Sequence, residues 1–132
     1  MVASPAAQES KGDALRAFLR GLNRSLLAAV NDPEAAVEAV LTRNAALNRT
    51  IELERWRETI AGEMSHPEIA TMGFGAADPI RIARGTGLLA ETLGLARTAA
   101  ASELFTDTFL PAKPDRLQLA EAVRAAPQRV TP

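Results

Sequence analysis

Apolar and polar positions alternate along this 132-residue chain with a helical period, interrupted by short turns. From about Asp13 to Val30, Leu15, Phe18, Leu19, Leu22, Leu26, Ala29 and Val30 recur at spacings of three and four, one stripe of a helix. Arg16, Arg20 and Arg24 lie four apart on another face, and Asp13 stands where an N-cap belongs. Asn31-Asp32-Pro33-Glu34 is a stop and a restart: Asp32 caps, Pro33 takes the first helical position, and Glu34 sits at the positive end of the helix dipole. The second helix, to about Leu41, buries Ala36, Val37, Val40 and Leu41, and residues 43–48 form a loop. A third helix, from about Thr50 to Met64, aligns Leu53, Trp56, Ile60 and Met64.

Ser65-His66-Pro67-Glu68 is the next break, with at most one helical turn after it. Gly73-Phe74-Gly75 reads as a loop that presents an aromatic ring, and Asp78-Pro79 repeats the cap-and-proline device. The helix it opens runs to about Leu93, with Gly94 as its C-terminal stop. Gly85 and Gly87 interrupt that helix and imply close packing or a kink, since each costs about 1 kcal/mol against alanine. Ser102 is expected to cap one turn through Phe105, and residues 106–111 are extended or irregular. Residues 112–132 read as a tail holding at most a short helix, between Asp115 and Ala125, with Pro127 and Pro132 ending it. No run shows period-two alternation, so the expected fold class is mostly α.

Composition narrows the function. Hydrophobic residues reach 47%, too many for a disordered chain, and no apolar run approaches the ~20 residues of a membrane-spanning helix. The formal net charge of -1 is spread along the length without a basic block, so nucleic acid is not an expected partner. Absence of cysteine removes disulfides, thiolate catalysis and cysteine zinc sites. His66, the one histidine, precedes a proline at a helix break and is read as a turn residue before a catalytic one. With no cluster of ligand types, neither a metal nor a cofactor is expected, and the chain is read as a non-enzyme. Glu52, Glu54, Glu58 and Glu63 surround the third helix with Arg55 and Arg57 and read as a solvated face. Trp56 lies on that helix's apolar stripe, so it is either a core anchor or a wall of a ligand cleft. Phe74, flanked by glycines, either lines a cleft or plugs the surface. Trp56 and Phe74 are the candidate ligand-binding residues.

Five stretches, taken in order, carry a resemblance: Ala14-Leu15-Arg16-Ala17-Phe18-Leu19-Arg20; Asn31-Asp32-Pro33-Glu34-Ala35-Ala36; Glu52-Leu53-Glu54-Arg55-Trp56; Gly73-Phe74-Gly75 with Asp78-Pro79-Ile80-Arg81; and Leu104-Phe105-Thr106-Asp107-Thr108-Phe109-Leu110-Pro111. Their order and spacing resemble the C-terminal part of periplasmic solute-binding proteins of ABC importers for nitrate, aliphatic sulfonates, taurine and thiamine-precursor pyrimidines. The resemblance implies a type II-like, two-lobed α/β protein with a small-molecule solute held between its lobes and ABC permease subunits as partners. Residues 1–111 would be its C-terminal helical region, with the N-terminal lobe missing and the chain a fragment or a truncated reading frame. Met1-Val2-Ala3-Ser4-Pro5-Ala6 would be the strand before the helices. The complete protein would be periplasmic, although the start of this chain has no basic stretch followed by an apolar one and so no signal peptide. The chain departs from the family at Lys11-Gly12-Asp13, where Asn-Pro is frequent. The alternative is a small helical protein-interaction module without ligand, and an enzyme ranks last.

Overall fold

Four of the helices begin where the sequence supplies a side-chain oxygen for the first orphan amides. A computed structural model describes residues 2–126, and among them are α1 (Pro5–Ser10), α2 (Gly12–Asn31), α3 (Pro33–Arg43), α4 (Arg49–Glu58), α5 (Ile69–Met72), α6 (Pro79–Leu93), α7 (Ala101–Leu104) and α8 (Lys113–Ala125). Ser4, Asp32, Asn48 and Asp78 accept from the amides of Ala7, Ala35, Ile51 and Ile80 at 3.2, 3.0, 3.2 and 2.9 Å. Proline follows the cap directly in α1, α3 and α6. Gly94 ends α6 in the left-handed region, at φ 61°. The described residues contain no strand, and the mostly α class holds.

Local chemistry moved several boundaries. The stretch expected to be a strand, residues 1–6, instead holds the Ser4 cap and the start of α1, because Ser-Pro followed by Ala-Ala-Gln-Glu is a helix opening; Met1 lies outside the described residues. Asp13 is in the first turn of α2 rather than at its cap and pairs with Arg16 at 3.3 Å. The long third helix is α4 followed by a π-helical turn, Thr59–Glu63, in which the Met64 amide donates to the Thr59 carbonyl at 3.0 Å. Ile60 and Met64 are both buried, within and just beyond that wider turn. Ser102 does not cap α7. Ala100 occupies the N-cap position without a side-chain acceptor, and the Glu103 carboxylate reaches back to accept its amide at 2.7 Å. A Cβ added at Gly85 or Gly87 would meet nothing within 4 Å, so close packing is not the reason for either glycine.

The core lies where α2, the π turn and α8 meet. Val30, Ile60, Met64, Leu119 and Val123 form its buried cluster, with Leu26, Leu27, Trp56, Ile69 and Phe74 packed around it. The tail segment thus supplies the most deeply buried side chains described: Leu119, Ala120 and Val123 at 0% exposure. Asn23, buried on α2, donates its side-chain amide to the Asp115 carbonyl at 3.2 Å, tying α2 to the first turn of α8. The proline-marked tail end, Pro127 to Pro132, lies outside the described residues.

Candidate functional site

An α-helix leaves its last four carbonyls without intrahelical donors. In α2 the Ala28 carbonyl still receives the Asp32 amide, at 2.9 Å. The Ala29 carbonyl would look to residue 33, which is proline and has no N–H. Trp56 fills the gap from α4: its indole Nε1 donates to the Ala29 carbonyl at 2.9 Å. The bond fixes the ring beside the core cluster, with the side chain only half-buried. The two readings of Trp56 are therefore compatible. One part of the ring packs on the core, and another part forms the wall of a groove.

That groove, about 510 Å³, lies between α2, α3 and α4. Leu22, Leu26, Ala29, Val37, Val40 and Trp56 make its apolar lining. Polar groups are at its edge, among them Ser25, Thr59 and the Glu52–Arg55 ion pair at 2.7 Å. Its size and lining lie within the range of small-molecule pockets, roughly 300–1,000 Å³. Since the indole N–H is already committed to Ala29, Trp56 offers a ligand only its ring. Contact there is by apolar packing or stacking.

Phe74 is placed elsewhere and does not line this groove. It packs on the core cluster, in a loop whose flanking glycines have φ of 79° and 82°. The loop is held by Arg116, a residue that the sequence pattern did not single out. Arg116 is buried, and its guanidinium donates from Nε to the Pro111 carbonyl at 3.0 Å and from Nη1 to the Met72 carbonyl at 2.9 Å, with the Phe74 carbonyl at 3.5 Å. The Phe74 amide in turn donates to the Arg116 carbonyl at 3.2 Å. A Cβ at Gly73 would come within 2.9 Å of the Arg116 Cβ, so the close approach requires glycine. One cation thus joins the end of α5, the glycine loop and the Leu-Pro end of residues 104–111. A charged residue in a helix that also carries Leu117 and Leu119 gives no sign of this in sequence.

His66 takes part in a solvated bridge. Arg81 at the start of α6 donates to a Glu68 carboxylate oxygen at 2.6 Å and lies 3.3 Å from His66 Nε2. The Glu68 amide lies 3.3 Å from His66 Nδ1. A neutral imidazole has one bare nitrogen, so only one of these two donors can be accepted at a time. The three side chains are each at least 40% exposed, and the cluster fastens a turn to a helix. Glu52 pairs with Arg55, and Arg57 lies 3.7 Å from Glu34. Among the described residues no group of three or more metal-ligating side chains comes together.

No family model matches the chain, and neither a curated protein nor a solved structure matches it.

Proposed function

We propose that this chain serves as the C-terminal helical region of the solute-binding component of an ABC importer, acting outside the cytoplasmic membrane. Its ligand class is a small sulfonate, taurine, nitrate or a thiamine-precursor pyrimidine, delivered to permease subunits. The observation that carries the reading is the outward apolar surface. Phe18, Leu22, Val40, Ile80, Leu88, Leu89, Leu93 and Leu95 are all large and exposed, on α2, α3 and α6 and just after α6. A helical layer built to pack on a second lobe presents such faces, and a self-sufficient small domain exposes fewer. The ordered segments from Ala14 to Pro111 add support. In this reading Trp56 is a wall of apolar contact, Phe74 serves the core rather than the groove, and donors to an anionic solute come from other residues.

Thermal unfolding of the purified chain with nitrate, taurine, alkyl sulfonates and aminopyrimidines tests the proposal. A ligand that binds the folded state raises the midpoint by linkage, about 2.7 kcal/mol at a hundredfold excess over Kd. A midpoint that shifts with one member of the panel supports the reading. A sharp transition blind to all of them favours the other reading, a helical interaction module, for which the α2–α3–α4 groove is the supporting observation.

A further inference from the structure

We propose that α3 and α4 form a hinged flap that supplies two walls of the groove, latched to α2 by the Trp56 indole. The flap is a hairpin, residues 33–58, with a joint at each end. At one end Asp32 leaves helical geometry, at φ −137° and ψ 81°, and Pro33 prevents α2 from running on. At the other end α4 passes into the π turn, the kind of local widening that recurs at functional sites. Beyond the joints, the chain is anchored in the core through Val30 on one side and Ile60 and Met64 on the other.

Within the hairpin the two helices are clamped together. Arg49 on α4 bonds both Glu34 and Glu38 of α3, the latter at 2.6 Å, and Arg57 approaches Glu34 at 3.7 Å. Val37 and Leu53 are buried, one on each helix. The pair is therefore tied to itself by charge and burial. Across the groove, the hydrogen bond from Trp56 to Ala29 joins α4 to α2. It closes on a carbonyl that proline has left without its own partner, so its release exposes a group that water can satisfy. Opening the latch costs one exchangeable hydrogen bond, the contact of apolar walls and the packing of the Trp56 ring on the edge of the core cluster, while the α2–α8 contacts stay in place. The device makes the groove conditional on the latch, since opening takes α3 and α4 away from α2, and it stands whether or not a solute binds there.

Native-state amide hydrogen exchange of the full chain under increasing urea tests this, since sub-global openings show as groups of amides with a shared, lower opening free energy. Amides of residues 34–58 are expected to exchange together and to open more readily than those of Leu119 to Val123. Trp56→Phe, which keeps a ring and removes the donor, is expected to raise the hairpin opening constant about two- to tenfold, the worth of one net hydrogen bond. The amides of α8 should hold their rates. If the hairpin and α8 follow a single isotherm in the unmodified chain, the flap does not exist, and that arm needs no variant. If W56F leaves the hairpin unchanged, or accelerates α8 equally, Trp56 is not its latch.

Discussion

Helices α6 and α8 start from similar sequence and end in opposite environments. Both open with a proline in the first turn, both run for about four turns, and both carry an apolar stripe. The stripe of α6 is the richer, with Ile80, Ile82, Leu88, Leu89 and Leu93. Yet Leu88 and Leu93 are 65% exposed, while Leu119 and Val123 of α8 are fully covered. The difference comes from what each helix meets. α8 lies against α2 and receives Asn23 and the Arg116-bound loop, whereas α6 is held at its start by Arg81 with Glu68. Amphipathic pattern decides that a segment is helical. It does not decide which of two such helices becomes the core.

This contrast can be attacked by substitution. The largest effect is expected in α8: Leu119→Ala should cost about 3–5 kcal/mol, in the range for emptying a fully buried site, and Leu88→Ala on α6 less than about 0.5 kcal/mol. Urea denaturation measures both, and equal losses would mean that α6 is covered in solution. Next comes Gly73→Ala, which forces a side chain to φ 79° and into the Arg116 Cβ; a loss of about 3 kcal/mol is expected in the same assay. On α6 the sign reverses. Gly85→Ala and Gly87→Ala sit in helical, open positions and should each stabilise by ~0.5–1 kcal/mol, read as a higher denaturation midpoint with unchanged slope.

The smallest effect follows pH at α7, in the segment after α6. The Glu103 carboxyl is held below its ordinary range, first by the Arg97 hydrogen bond, then by the Ala100 amide and by the Arg97 charge. A carboxyl lowered in the folded state stabilises above its unfolded range and loses that contribution as pH falls through its folded value. Amide shifts of residues 97–104 should therefore hold through the ordinary carboxylate range and move only as pH falls below it. High salt should weaken the effect, since the pair is exposed. A transition of these amides within the ordinary carboxylate range would mean that the Arg97–Glu103 pair does not hold in solution.

Much of this was legible in the residues alone. Asp32-Pro33, Asp78-Pro79 and Gly94 mark helix ends through chemistry that acts within four residues, so they read correctly one segment at a time. Trp56 was readable as an apolar anchor, and the structure packs it on the core at the edge of a groove. Arg116 was not readable, because its partners at Met72, Phe74 and Pro111 are defined only once three segments converge. The Ser4-Pro5 opening is the opposite case: its cap acts within three residues, and only the family resemblance reads a strand over it.

What the sequence by itself determined is the set of helices and where most of them stop, since caps, prolines and periodicity are short-range and act on the backbone directly. Only the tertiary structure decided which apolar stripe is buried, which arginine is held by carbonyls, and which proline-orphaned carbonyl an indole satisfies. Those choices depend on groups 27 to 92 residues apart being brought within hydrogen-bond distance, and no local pattern encodes that meeting.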